Sequence, residues 1–445
     1  MGRRKAHAPL NVLINNRPVG RLDRAQSGAV SFRYDQAWLD WPNGFGISLS
    51  MPRREAAYTG AEVSAVFDNL LPDSDHIRKQ VAERLGAGGS DYFSLLSAIG
   101  RDCVGAMQFL PDDAPDQPPS TMHGQSVTDA DIETLLANLA RAPLGLAAEQ
   151  DFRISIAGAQ EKTALLRLGT AWLQPRGTTP TSHILKPQLG KIPTAFGTID
   201  LRASVDNEHY CLELLRAFGL AVANSQIVTF GQRRVLVVER FDRRWRDDRL
   251  LRLPQEDMCQ ALGIPSSHKY QSSGGPDMVA ILKLLQGADD PRADQLAFFK
   301  SQILFWLIGA TDGHAKNFSL LLKPGDRYSL SPFYDVLSAQ PACDGRQIPR
   351  NRFKLAMSFG TNRKYVIDQI AGRHFIETGR LARLGNGLMR QALEEILADA
   401  ATAPDAARAR MPADFDEAVH ASIVAILPQR LQQVAAALAE LPPAR

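Results

Sequence analysis

Three oxygen-bearing side chains in one stretch of this sequence have the spacing of a phosphoryl-transfer site. Asp312 and Asn317 stand five residues apart in Thr311-Asp-Gly-His-Ala-Lys-Asn317, and Asp335 follows eighteen residues later in Pro332-Phe-Tyr-Asp335. Kinases of the protein-kinase type use one Asp as base, an Asn five residues on for metal, and a second metal-binding Asp after a hairpin. The chemistry explains the residue types. Mg2+ prefers hard oxygen donors and keeps several waters, so an amide oxygen and a carboxylate suffice beside nucleotide phosphates. A separate carboxylate must orient the attacking hydroxyl and take its proton. Asp and Asn are also common turn formers, so the surrounding elements have to decide between the two readings.

Those elements favour chemistry. Ala297 to Ile308 is apolar almost all round and reads as a helix buried on every side. Phe318 to Leu322 and Arg327 to Leu330 flank the turn Lys323-Pro-Gly-Asp326 and predict a hairpin that runs into Asp335. A short polar loop carrying Asp312, Lys316 and Asn317 is thus expected between a core helix and a hairpin ending in a carboxylate.

A second set of candidates lies upstream. Arg153 to Leu166 has strand–loop–strand character, and the small residues at 157 to 159 would let backbone N–H groups approach a ligand. It is not a Walker A loop, because Glu161 stands where the second glycine belongs; a plain β-turn reads equally well, and Ser155 is then a strand-end hydroxyl. Lys186 ends the apolar strand of Ser182-His-Ile-Leu-Lys186, and Pro187 stops it; its ammonium points either into a cleft or into solvent. Asn207 to Gly219 is a clear helix, with Glu208 on the same face as Cys211, Leu212, Leu215 and Phe218. Glu208 follows Lys186 by twenty-two residues, which suits a Lys–Glu pair, although an acid in a first helical turn also complements the dipole. Arg234 to Asp242 is a buried strand running into a charged turn, where a nucleotide-binding hinge would lie. Arg373, Arg380, Arg383 and Arg390 fall at spacings of seven, three and seven, so one helix would align them either toward phosphates or as a solvated face, unless a break at Gly379 or Gly385 scatters them.

The 445 residues suffice for two or three domains, and 44% hydrophobic with 22% charged residues is ordinary for a globular protein. A net charge of +3 confines any nucleic-acid contact to a local patch. No apolar run is long enough to span a membrane. The four cysteines are scattered without metal-type spacing and read as reduced thiols of a cytoplasmic protein. Along the chain we expect a hairpin at Leu10–Leu22, strands at Val30–Tyr34 and Ile47–Leu49, helices at Glu62–Leu71, Asp75–Leu85 and Tyr92–Ile99, and a strand at Val104–Leu110. Pro111 to Gly124 reads as a linker, Asp129–Arg141 as a short helix, and Gln188–Val205 as a long connection. Leu253–Gly263 starts a helix, Ser266–Asp277 is a Gly-rich loop, and Ile367–Leu441 is mostly helical.

Several blocks together closely resemble the HipA family. They are Asp68-Asn-Leu-Leu-Pro-Asp-Ser74, Phe152-Arg-Ile-Ser155 through Leu166, Val205-Asp-Asn-Glu208, Val238-Glu-Arg-Phe-Asp-Arg-Arg-Trp245, Leu253-Pro-Gln-Glu-Asp-Met-Cys259 and Trp306 through Asn317. The resemblance implies an α+β, kinase-like fold and the toxin half of a type II toxin–antitoxin pair. It implies a serine/threonine kinase that uses ATP and Mg2+ and phosphorylates an aminoacyl-tRNA synthetase such as glutamyl-tRNA synthetase, arresting growth. Asp312 would be the catalytic base, Asn317 and Asp335 the metal ligands, and Lys186 the phosphate contact, with Glu208 as its structural ion-pair partner. Ala157, Gly158, Ala159, Gln160, Glu161 and Lys162 would form the phosphate loop. Glu239, Arg240 and Phe241 would sit at the adenine, and His314, Ala315, Lys316 and Asn317 would line the ATP site. Ser155 would be autophosphorylated, expelling the loop. A HipB-type helix-turn-helix antitoxin and operator DNA would be partners, with Arg380 and Arg383 at the DNA, and no membrane involved. Pro187 directly after the lysine, the segment Ala342–Tyr365 and the C-terminal tail depart from the family pattern.

The expected organisation is an N-terminal α/β subdomain with small antiparallel sheets over residues 1–110, a linker and short helix over 111–150, a nucleotide-binding lobe over 151–242 and a helical catalytic lobe over 243–445. The competing reading is a kinase-shaped DNA-binding corepressor with little catalysis; antibiotic-type small-molecule kinases share the Asp–Asn spacing and form a third.

Overall fold

The computed structural model describes residues 8–112, 122–146, 153–158, 160–194 and 197–443. They fall into two compact units. The first holds the chain up to Pro187 with Thr229–His268 and Leu320–Tyr328; the second holds Gln188–Val228, Lys269–Ser319 and Ser329 onward.

The first unit opens with a five-stranded antiparallel sheet in the order Tyr58–Thr59, Val30–Tyr34, Arg17–Arg24, Leu10–Ile14, Met107–Pro111. Its first hairpin turns at Asn15 and Asn16, both at positive φ (+49° and +63°), the conformation that two-residue hairpin loops demand and asparagine tolerates. Alternation buries Leu10, Val12, Leu22, Phe32 and Phe109 completely on one face. The helices Ala61–Phe67, Asp75–Leu85 and Tyr92–Ile99 follow. The Ser74 and Asp91 side chains cap the last two, accepting from Ile77 N and Ser94 N. A second antiparallel sheet places Arg233–Glu239, His183–Pro187, Thr163–Leu168, Ala171–Pro175 and Gly124–Val127 side by side.

The second unit is mainly helical. Ser204–Ala217, Pro291–Ile308, Gly372–Leu381, Asn386–Asp399, Ala403–Arg408 and Glu417–Glu440 are its principal helices. Pro291–Ile308 is buried at every position from Phe298 to Ile308, the polar Lys300, Ser301 and Gln302 included. Phe298, Phe305, Phe318 and Phe333 pack ring against ring beneath the loop that follows it.

Four expectations need correction. Ile47–Leu49 is a turn rather than a strand, because the Ile47 and Leu49 amides bond side chains, the Tyr34 hydroxyl and the Glu256 carboxylate. The strand at Val104–Leu110 starts only at Met107, since Gly105, at φ +75°, donates to Asp242 instead of a ladder. The connection after Pro187 contains a hairpin, Lys191–Thr194 with Gly197–Asp200. The arginine stripe does not form: one helix ends at Leu381, Arg383 turns at φ +59°, and the next helix begins at Asn386. Most of the expected linker, together with Ala159, lies outside the described residues.

Candidate active site

In the second unit the site grows from the end of Pro291–Ile308. Asp290 caps its start by accepting from Ala293 N, Pro291 occupies the first turn, and Gly309 at φ +72° closes its end. The chain then tightens. His314 N donates to Asp312 O (2.8 Å) and Asn317 N donates to His314 O (2.9 Å), giving a single 3-10 turn over Ala315–Asn317. Asp312 is exposed, while His314, Ala315, Lys316 and Asn317 are buried. Asn317 Nδ2 donates to Asp312 O at 2.8 Å. That bond fixes the amide flip, so the other end of the amide presents Oδ1, a hard oxygen donor.

Asp335 is held beside this turn through its neighbour. The Tyr334 hydroxyl donates to Lys316 O (2.9 Å) and shares a 2.5 Å hydrogen bond with Ser319 Oγ, so the backbones next to Asn317 and next to Asp335 are joined by one ring. Asp335 itself has φ +58°, a left-handed backbone that directs its side chain away from strand geometry at a small conformational cost. Three residues on, Ser338 gathers the surrounding elements. Asn207 brackets its backbone, accepting from Ser338 N at 2.9 Å and donating to Ser338 O at 2.8 Å, and Ser338 Oγ donates to Ile308 O at 2.6 Å. Glu208 is buried one residue further along the same helix as Asn207. Above the loop, the Tyr270 hydroxyl donates to Asp312 Oδ1 at 2.6 Å.

The first unit holds the other candidates. Ser155 is completely buried; its N donates to Asp102 O (2.9 Å) and its Oγ to Leu70 O (2.8 Å). Gly158, at φ +114°, forms a bridge with Pro72 and accepts from Asp73 N. That backbone calls for glycine, and a Cβ there would meet Lys162 Nζ at 2.2 Å and displace the ammonium from its place. Lys162 donates to Ala157 O (2.8 Å) and Gln160 Nε2 to Pro187 O (3.3 Å), closing the loop on itself and on the strand end next to Lys186. Lys186 is buried and pairs in register with Leu236. A cavity of about 290 Å³ opens beside this loop, lined by Ser74, His76, Gly158, Gln160, Glu161 and Lys162 among others.

Glu239 is exposed and Phe241 half-buried, as a hinge that meets a ligand would require. Between them the Arg240 guanidinium is turned inward. It bonds Asp242 (2.7 Å), Thr181 (2.8 Å) and Asp102 (3.4 Å), while its backbone N donates to Ser182 O and its O accepts from Arg243 N. Asp102 also takes Arg243 (2.9 Å) and Arg252 (2.8 Å). Burial opposes its charge, but Arg243, Arg252 and Arg240 outweigh burial and hold its carboxyl below the usual range. Burial pushes Arg243 down to about 10, which leaves it charged at neutral pH. Elsewhere in this unit burial drives Glu256 up to about 8.

The structure therefore brings Asp312, His314, Ala315, Lys316 and Asn317 together with the Asp335 segment in one unit. It brings Ser155, Ala157, Gly158, Gln160, Glu161, Lys162, Lys186, Glu239 and Phe241 into the other. Arg380 and Arg383 are exposed at the end of a helix and in the turn after it. Sequence reasoning missed Tyr270, Asn207, Ser338, Tyr334 and Asp102. Tyr334 and Asn207 directly precede Asp335 and Glu208 and were findable from those neighbours; Asp102 carries no local signal at all. Among the described residues no three His, Cys, Asp or Glu side chains are grouped to hold a metal, and no helix is long and apolar enough to cross a membrane.

The chain resembles known proteins over most of its length. The profile of the HipA-like C-terminal domain matches residues 154–407, and that of the HipA N-terminal domain matches residues 10–110. The Y4mE protein of Sinorhizobium fredii is 35% identical over 339 residues, 74% of this chain and 77% of its own length. The serine/threonine-protein kinase toxin HipA of Shewanella oneidensis is 30% identical over 344 residues, covering 74% and 75%. Among solved structures, a chain of the Shewanella oneidensis MR-1 toxin–antitoxin complex of HipA, HipB and operator DNA superposes with a TM-score of 0.78. The match covers 97% of this chain and 99% of that one at 24% identity, which establishes the kinase-like HipA fold.

Proposed function

Because the chain belongs to the HipA family of serine/threonine-kinase toxins, we propose that it transfers the γ-phosphate of ATP to a serine of a translation component. The observation that carries this reading is the Asn317 amide, tied to the Asp312 carbonyl with its oxygen presented, next to a segment that Tyr334 fastens to Lys316. One amide oxygen and one carboxylate fit Mg2+, which fills its remaining positions with phosphate and water. Asn317 and Asp335 would hold that ion, which supplies charge neutralisation for the phosphates. Asp312 orients the acceptor hydroxyl and accepts its proton. Lys186 contacts the phosphates with Glu208 as its pairing partner. The loop Ala157–Lys162 cradles the phosphates with backbone N–H groups, and the segment Glu239, Arg240 and Phe241 receives the adenine. His314, Ala315 and Lys316 complete the lining.

Ser155 is the autophosphorylation site in this reading. Its Oγ faces a carbonyl oxygen in a fully buried position, where a phosphate carrying nearly two negative charges could not stay. Modification would therefore release the loop and switch the kinase off. The acceptor protein is an aminoacyl-tRNA synthetase such as glutamyl-tRNA synthetase, reached in the cytoplasm. A HipB-type antitoxin neutralises the toxin, and the pair engages operator DNA with Arg380 and Arg383 toward it, as the Shewanella complex suggests by its composition.

Incubation with γ-labelled ATP and Mg2+ tests the proposal. Label on Ser155 and on one purified synthetase, abolished by Asp312→Asn, is the expected result. Asp312 is exposed, so the variant should fold. Absence of transfer to any protein would leave the DNA-binding corepressor as the better description.

A further inference from the structure

The base has a partner that the kinase reading alone does not require. Tyr270 belongs to the Gly-rich loop Ser266–Asp277, upstream of the helix Pro291–Ile308, and its hydroxyl reaches Asp312 Oδ1 at 2.6 Å. The short distance is that of a charge-assisted hydrogen bond. Among the described residues no other group bonds the Asp312 carboxylate, so Oδ2 is the oxygen left for an incoming hydroxyl. The ring of Tyr270 stands edge-on to the His314 ring at 4.9 Å.

The segment carrying this tyrosine is fastened on both sides. Ala315 N donates to Lys269 O at 3.1 Å. On the other side Gln271 Nε2 donates to Ser358 Oγ (3.0 Å), while Gln271 Oε1 accepts from Ser358 N (2.8 Å). A hydroxyl that merely plugged the acceptor's seat would need a segment free to leave. This one is strapped to the loop it touches and to the strand Lys354–Phe359.

We infer that Tyr270 is a positioning residue for the base: it holds Asp312 Oδ1 so that Oδ2 faces the acceptor hydroxyl. An exposed aspartate otherwise turns freely about χ2, whose wells are broad and roughly two-fold, and a misplaced base loses alignment with the proton it must take. The inference rests on the kinase reading above, because it assigns Tyr270 a role through Asp312.

The test is steady-state phosphoryl transfer by the full chain with Tyr270→Phe, which keeps the ring and removes the hydroxyl. The expected result is a kcat lowered about 10- to 100-fold with KM for ATP unchanged. Gln271→Ala, which loosens the strap, should lower kcat less, and should add nothing in the Tyr270→Phe background because both act through one hydroxyl. An unchanged kcat in Tyr270→Phe overturns the inference, as does a raised one, which would mark the hydroxyl as an obstruction. Losses that multiply in the double variant overturn it too, as does phosphate found on Tyr270 itself. A wild-type chain that transfers nothing overturns the kinase reading and this role together, whereas an active wild type with an indifferent Tyr270→Phe overturns the role alone.

Discussion

Replacing Asp102 by Asn should nearly unfold the first unit, and the reason is geometric as well as electrostatic. Oδ1 accepts from Arg243 and Arg252, each at 2.9 Å. Oδ2 accepts from Thr181 N (3.0 Å), Thr181 Oγ (2.7 Å) and Arg240 (3.4 Å). Whichever way an amide turns, its NH2 group faces donors. It also leaves Arg240 and Arg243 with Asp242 as their carboxylate partner and Arg252 bonded to the carbonyls of Arg101 and Thr178. Breaking a buried ion pair from one side costs about 3–5 kcal/mol, against about 5–15 kcal/mol for the stability of a whole domain. We expect a loss of about 4 kcal/mol in urea unfolding followed by circular dichroism. The control is Asp23→Asn, whose partner Arg21 lies at 3.1 Å with both side chains more than two-fifths exposed; it should cost less than about 0.5 kcal/mol. The sign of the pH dependence follows from the depressed folded carboxyl. Its contribution is complete above the unfolded value near about 4 and fades as pH falls below it, so wild type and variant should converge in acid. A loss below about 1 kcal/mol, or a difference that grows in acid, would refute the reasoning.

Glu256 has the opposite sign. Burial raises its carboxyl to about 8, and Oε2 has no hydrogen-bond partner among the described residues. The folded state thus holds a proton that the unfolded chain releases near about 4, and stability should fall by a few kcal/mol as pH rises from about 5 to 8. Glu256→Gln keeps the acceptor for Leu49 N and should flatten that slope in chemical unfolding measured across pH. Asn207→Ala strands both Ser338 backbone groups in the interior and should cost about 2–4 kcal/mol. It should also lower the phosphoryl-transfer rate in the surviving fold. Ser155→Asp sets a carboxylate against Leu70 O in a sealed site. Limited proteolysis should then cut within residues 153–158, and nucleotide binding should weaken, whereas Ser155→Ala should stay resistant.

Much of this architecture could be read from local pattern. The helices Asp75–Leu85 and Tyr92–Ile99 are delimited by Ser74, Asp91 and the glycines after them, signals that act over three or four residues. The spacing of Asp312, Asn317 and Asp335 marked the candidate loop for the same reason: neighbouring residues set its geometry. What escaped depends on distant partners. Ile47–Leu49 has strand composition but spends its amides on Tyr34 and Glu256. Tyr270 meets Asp312 across forty-two residues, and Asp102 meets Arg243 across 141. No window of the sequence contains both ends of such contacts. The arginine stripe is scattered by a break before Gly385, one of the two glycines at which the sequence allowed it: the backbone turns over Leu381–Gly385.

The family profiles treat residues 10–110 and 154–407 as separate segments, yet the loop proposed to cradle the phosphates has no complete backing within the second. Leu70 and Asp102 hold Ser155, and Pro72 with Asp73 holds Gly158. A chimera that grafts the N-terminal hundred residues from a relative would bring its own wall for this loop and a new setting for its release. Exchange of these segments between homologues should therefore retune the proposed self-silencing through Ser155, with every side chain proposed for catalysis left in place.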